Sequence, residues 1–332
     1  MSRTRFDVLT IGNAIVDVFA HTEDDFLVRE GLTKGAMILT DEERAAHLYG
    51  AMGQSIEISG GSAANTAVGV TSFGGRTAYF GKVKDDEGGH VFMRDLRAQG
   101  THFETKPLKE GPATARSFIF ITPDGERTMN TYLGAAHLLG PADMAEDVVS
   151  GAAITYMEGY LWDPQDAKDA FLRAAAIARK AGRRVAITLS DSFCVDRFRG
   201  EFLNLMRTGV VDIVFANTQE IKSLYQTSDF DTALDLVSRD VRLAVVTRSE
   251  EGALAIEGGM RVLVPAFPID NLVDTTGAGD LFASGFLFGL ARGMPHLASL
   301  KLGAMAAAEV IQHVGARPQT NLKVMAQSNG LL

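Results

Sequence analysis

The feature that most constrains this 332-residue chain is the regular alternation of short, apolar, β-prone runs with segments of helical periodicity. Asp7 to Gly12, Ala63 to Phe73, Thr77 to Val83, Gly88 to Gln99, Ile154 to Glu158 and Asp166 to Ala181 follow one another in this way. The second half continues with strands at Arg184 to Leu189, Ile213 to Ala216 and Leu243 to Thr247, and with a helix from about Thr218. Such alternation predicts a parallel sheet with crossover helices. The nearly continuous apolar character of the central strands predicts helices on both faces.

Two segments break the pattern, 14–40 and 113–135. In the second, Pro123-Asp124-Gly125 separates two β-prone arms and reads as a hairpin turn. Together they predict a small β-sheet lid inserted in one α/β domain spanning 1–332. Length alone suggests roughly two domains, but no repeat, low-complexity tract or long linker divides the chain.

Charge and cysteine content narrow the function classes. The formal net charge of −9 opposes nucleic-acid binding in the absence of a local basic patch. The single cysteine, Cys194, cannot form an internal disulfide, so no oxidising compartment is required and a cytoplasmic location is expected. Asp7 and Asp17 interrupt and close the first apolar run, unlike a secretory signal. Leu281 to Ala291 is too short to span a bilayer and reads as a buried helix. Seven scattered histidines and one cysteine offer no zinc-ligand spacing.

The chemistry concentrates in Asp274 to Phe286, DTTGAGDLFASGF. Gly277-Ala278-Gly279 lets the backbone approach a ligand closely, and the apolar helix that follows turns its first amides outward, which makes an anion site. Asp280 stands in the first turn. It either complements the helix dipole or acts as a general base beside a phosphoryl group. The helix is apolar nearly all round, so a charge at its mouth needs a partner or a function, which favours the base.

That segment resembles the C-terminal signature of the ribokinase-like carbohydrate and nucleoside kinases, the PfkB family. Gly60-Gly61-Ser62-Ala63-Ala64-Asn65-Thr66-Ala67 resembles the family's second signature, upstream as expected. The resemblance covers nearly the whole chain. It implies a ribokinase-like, Rossmann-type three-layer α/β/α domain with a β-sheet lid, and ATP and Mg2+ as co-substrate and cofactor. It implies that Asp280 is the catalytic base and that Gly277, Ala278 and Gly279 form the hole for the γ-phosphate. Gly60, Gly61, Asn65 and Asp17 then match substrate-hydroxyl contacts, although GGS is also an ordinary helix start and Asp17 an ordinary loop start.

Asn217 and Glu220, in FANTQEI, match the family element that positions Mg2+ and phosphates largely through water; a plain helix capping box is the competing reading. Thr247 lies at the expected nucleotide loop, where Arg248 and Ser249 depart from the family pattern. Asp274 and Thr276 match positions where some members hold K+. Arg127, after the lid turn, stands either where it reaches the γ-phosphate when the lid closes or as an ordinary surface arginine of a loop.

Several features resemble the adenosine kinase branch. Asn13 in IGNAIVD, Tyr160 in MEGYLWD, and the lid residues Ser117, Leu133 and Ala135 fall at nucleoside-contact positions, with Ala14 replacing that branch's proline. Phe118 and Phe120 share one face of a lid strand, suited either to stacking on a base or to packing. The implied reaction is phosphorylation of a nucleoside 5′-hydroxyl, adenosine first, with a guanosine, inosine, ribose or fructose kinase as alternatives and a non-catalytic nucleoside sensor as the rival of another class. Partners are then ATP and a small nucleoside or sugar, with no nucleic acid and no membrane; monomer and homodimer both remain open. The Walker and dinucleotide fingerprints are missing: Arg76 stands where Gly81-Lys82 would need its first glycine, and the first strand runs into Gly12-Asn13-Ala14-Ile15.

Overall fold

A computed structural model describes residues 4–332, so the first three residues of the expected 1–332 domain lie outside the described residues. An eight-stranded sheet runs in the spatial order Met260–Val264, Ala253–Glu257, Leu243–Thr247, Ile213–Asn217, Arg184–Thr188, Ala152–Glu158, Phe6–Ile11, Thr77–Phe80. Six of its strands are parallel. The last two in the chain add an antiparallel hairpin at one edge, turned by Gly258-Gly259. That hairpin was not anticipated from the alternation, because the pattern of crossover helices ends before it.

Two cores flank this sheet, as expected of strands apolar on both faces. On one side Leu9, Ile11, Val214 and Val246 pack under the helices Gln165–Lys180, Ser192–Arg207 and Thr218–Tyr225, through Phe171, Phe202 and Leu224. On the other, Val8, Tyr156, Phe215 and Val245 meet the Ala278–Ala291 and His296–Val310 helices. Every residue from Leu281 to Leu290 is buried. No described helix is long and apolar enough to cross a membrane.

A second, five-stranded sheet has the order Met37–Leu39, Arg127–Tyr132, Ala115–Ile121, Ile15–His21, Ile56–Gly60. Its last strand comes from outside the two expected segments, so the first insertion extends to Gly60. Thr122 to Glu126 close the hairpin, with Asp124 Oδ1 accepting from Thr122 Oγ1 at 2.6 Å. Side chains alternate across each strand, and the two faces differ sharply. Val16, Val18, Phe118 and Phe120 are buried in a third core beneath the helices Asp24–Arg29, Glu42–Ala51 and Glu87–Ala98. The base-stacking role considered for Phe118 and Phe120 is therefore corrected: they pack near Tyr49 and Phe26 on the helix-covered face. Asp17, Phe19, Ser117 and Arg127 share the opposite face.

Candidate active site

In open α/β sheets, ligands bind beyond the carboxyl ends of the strands. Here those ends deliver Asn13 after Phe6–Ile11, Glu158 and Tyr160 at the end of Ala152–Glu158, Asn217 at the end of its strand, and Thr247 at the end of the next. The Gly61 turn and the Gly277 turn, each the N-cap of a helix, face one another there.

Asp280 is the meeting point. Its Oδ1 accepts from Ser62 Oγ at 2.6 Å and its Oδ2 from Asn65 Nδ2 at 3.0 Å, while Thr66 Oγ1 donates to its backbone carbonyl at 3.2 Å. Thus the two glycine-rich motifs, more than 200 residues apart in sequence, are joined by side-chain hydrogen bonds. Burial pushes the Asp280 carboxyl above the usual carboxylate range, and the bonds from Ser62 and Asn65 and the Arg317 guanidinium oppose that shift. Gly277 sits at φ +81°, a left-handed conformation that side chains disfavour, and a Cβ there would strike Ala316. Beyond it the Ala278 amide turns back to Thr275 O at 3.2 Å, whereas the amides of Gly279 and Asp280 have no protein acceptor among the described residues. Those two donors are the part of the Gly277 to Gly279 cradle left open to an anion.

Across the cleft, Asp17 lies tightly against Gly60, where no side chain would fit, and accepts no hydrogen bond among the described residues. Burial pushes its carboxyl up to about 7, with Arg317 and Arg127 pulling it down and Asp280 adding to the rise. Asn13 is buried; its Nδ2 donates to Glu158 Oε1 at 2.9 Å, and its Oδ1 is a buried acceptor without a partner. Glu158, also buried, accepts from the Ala63 amide at 2.9 Å and so ties Asn13 to the start of the Ser62–Ser72 helix.

Asn217 and Glu220 form a complete capping box. Asn217 Oδ1 accepts from the Gln219 and Glu220 amides, and the Glu220 oxygens accept from Asn217 N at 3.0 Å and Nδ2 at 2.6 Å. Burial pushes Glu220 up to about 7. Among the described residues no group of three or more His, Cys, Asp or Glu side chains converges on a metal position. Thr247 O lies 3.4 Å from Thr218 Oγ1, and Arg248 pairs with Glu251 over the ring of Phe230.

The residues considered for K+ do not fit a free cation. Asp274 Oδ1 accepts from Thr276 N at 3.0 Å and Thr276 Oγ1 at 2.7 Å; Oδ2 accepts from Gly315 N at 3.1 Å and has Arg127 Nη1 at 2.7 Å. A guanidinium already supplies the positive charge. Beyond that ion pair through Nη1, the buried Arg127 Nη2 has no partner among the described residues.

Tyr160 is placed at the rim, 41% exposed, with its hydroxyl donating to Ser190 O at 3.2 Å. Ser117 neighbours Asp17 in register and shares a hydrogen bond with Thr131 Oγ1 at 2.9 Å. Leu133 and Ala135 follow the hairpin, and Ala135 is buried, its amide bound to Ala113 O. Sequence reading overlooked Glu158, which holds Asn13, Ser62, which bonds Asp280, and Arg317, which bonds Asn65. Ser62 and Glu158 stood inside motifs already singled out, whereas Arg317 has no motif of its own.

Residues 33–322 match the pfkB family of carbohydrate kinases. Probable fructokinase-4 of Arabidopsis thaliana is 29% identical over 238 residues, 70% of this chain and 73% of the relative. A crystal structure of a probable sugar kinase from Rhizobium etli CFN 42 is 57% identical with a TM-score of 0.92, covering 99% of this chain and all of that one. An adenosine kinase from Sinorhizobium meliloti is also 57% identical, with a TM-score of 0.91 over 98% and 99% of the two chains. The match across most of the chain agrees with both glycine motifs meeting at Asp280: this protein belongs to the pfkB family and is a sugar or nucleoside kinase, a phosphotransferase with an alcohol acceptor.

Proposed function

We propose that the chain transfers the γ-phosphoryl group of Mg·ATP to the 5′-hydroxyl of a nucleoside, adenosine first, with Asp280 as the base. The carrying observation is the Asp280 carboxylate held by Ser62 and Asn65 at the mouth of a helix whose Gly279 and Asp280 amides are uncommitted. A hydroxyl placed there gives its proton to Asp280 as it attacks the γ-phosphorus, and the open amides meet the charge on the transferring oxygens. Mg2+, when bound with ATP, would neutralise triphosphate charge, and the Asn217 and Glu220 pair would help to hold it.

On the substrate side, the unbonded Asp17 carboxylate and the unpartnered Asn13 Oδ1 are acceptors for ribose hydroxyls. Arg127, held to Asp274 through Nη1, keeps Nη2 free to meet the γ-phosphate as the small sheet closes over the cleft and excludes water. The nucleoside choice is supported by the 57% identity with the S. meliloti protein described as an adenosine kinase, twice that with the plant fructokinases. The equally similar R. etli protein described as a probable sugar kinase keeps a sugar acceptor as the second reading.

The test is ADP release with adenosine, guanosine, inosine, cytidine, ribose and fructose. Highest kcat/KM on adenosine supports the reading. Turnover of sugars with none of nucleosides overturns it in favour of the second.

A further inference from the structure

Arg317 occupies a loop with no recognisable motif, yet its side chain reaches the centre of the cleft. Its Nε donates to Asn65 Oδ1 at 2.8 Å, and one terminal nitrogen donates to Ser59 O at 2.7 Å and to Ser59 Oγ at 2.9 Å. Ser59 is fully buried, and its amide donates to Asp95 Oδ2 at 2.9 Å. The far end of the guanidinium is thus anchored to the strand Ile56–Gly60 and, through Ser59, to the helix Glu87–Ala98, leaving Nε aimed at Asn65.

Donor and acceptor chemistry then fixes the Asn65 amide. Arginine can only donate, so the oxygen of Asn65 must face it; the Nδ2 group must face Asp280, and a carboxylate that only accepts is the partner that suits it. A flipped amide would put its oxygen against the carboxylate and its NH2 against a guanidinium, losing both bonds.

We propose that Arg317 is a positioning residue for phosphoryl transfer: acting through Asn65, it locks the Asp280 carboxylate in the orientation that accepts the substrate proton. The inference rests on Asp280 being the base. It adds a residue outside both glycine motifs and links the docking of the small sheet's edge strand to the readiness of that base.

The groups facing Asp280 are Ser62, Asn65 and Thr66 from the Ser62–Ser72 helix, Tyr156 and Glu158 from the central strand, Tyr160 beyond it, Asp17 from the small sheet, and Arg317. Arg317 is the cation among them that favours the ionised form of Asp280. Removing it moves the acid limb of the kcat/KM profile to higher pH as well as disordering the amide.

The experiment measures kcat, KM and the pH profile of Arg317→Ala and Arg317→Lys beside wild type and Asp280→Asn, with thermal unfolding of each. Arg317→Ala is expected to lose roughly tenfold to hundredfold in kcat, the scale of a small misplacement of a catalytic group, with its acid limb shifted upward and with partial recovery on adding guanidinium ion. Arg317→Lys is expected to keep the acid limb but recover only part of kcat, because an ammonium cannot bond Asn65 and Ser59 as one planar fork. Wild-type kcat and profile in a folded Arg317→Ala would overturn the proposal while an inactive Asp280→Asn leaves the base assignment standing. If Arg317→Ala does not fold, full kcat in Arg317→Lys overturns it. An active Asp280→Asn overturns the base assignment itself.

Discussion

The guanidinium of Arg127 lies with Nη1 2.7 Å from Asp274 Oδ2, joining the small sheet to the loop that leads into the Ala278–Ala291 helix. Both side chains are about nine-tenths buried, with 10% and 8% exposed. Asp274 also accepts bonds from Thr276 and Gly315, so its charge is met entirely by the protein. Turnover is therefore expected to be unchanged when K+ is replaced by tetramethylammonium in the assay. In Arg127→Ala the exposed carboxylate becomes a cation site, and K+ stimulates what activity remains. Stimulation of the wild type by K+ would contradict this arrangement.

Gly61 sits at φ +89°, and a Cβ there would strike the Asn13 carbonyl oxygen. Gly61→Ala combines left-handed strain with displacement of Asn13, and is expected to cost about 1–3 kcal/mol of stability. Asn13 is proposed to meet the substrate, so KM for the acceptor rises more than KM for ATP. Chemical denaturation and two-substrate kinetics check both halves.

These glycines show how much was legible in the chain. Gly60 to Asn65 and Gly277 to Asp280 are local motifs: their torsions and helix starts are set by neighbouring residues, so sequence reading places them. The six parallel strands of the large sheet were equally legible, because a strand buried on both faces writes a continuous apolar run, whereas the small-sheet strand Ile56–Gly60 was not. Phe118 and Phe120 mark the boundary. Alternation fixes that they share a face, but only the packing of Phe26 and Tyr49 from two separate helices decides which face it is. Arg317 was illegible because its bond to Asn65 spans 252 residues and depends on where an irregular loop lands. The edge hairpin at Ala253–Val264 escaped for a milder reason: it follows no crossover helix.

Glu158 supplies a pH prediction. Burial pushes its carboxyl from the ordinary 4.5 up to about 7, outweighing the bonds from Ala63 and Asn13. The native state then binds more protons than the unfolded state between those values, so this group's contribution to stability is present below about pH 4.5 and lost as pH rises through 7. Glu158→Gln cannot titrate and is expected to flatten the decline of the thermal midpoint across that window. Buried Asp17 and Glu220 keep some slope. An unchanged slope in Glu158→Gln would show that Glu158 does not take up the proton.

Glu220 accepts through both oxygens from Asn217. Glutamine preserves one acceptor and the helix cap, so Glu220→Gln is expected to fold normally. Its loss of charge raises the Mg2+ concentration needed for half-maximal turnover, read by Mg2+ titration at fixed ATP. An unaltered requirement would confine Glu220 to capping.

The most direct test of the account is the kcat of Asp280→Asn for ADP release with adenosine. Asparagine keeps the shape but cannot take the hydroxyl proton. The account predicts a loss of about 100-fold or more, with the thermal midpoint retained and KM for ATP little changed. A variant that turns over at close to the wild-type rate would contradict the assignment of Asp280 as the base, and with it the mechanism built around that carboxylate.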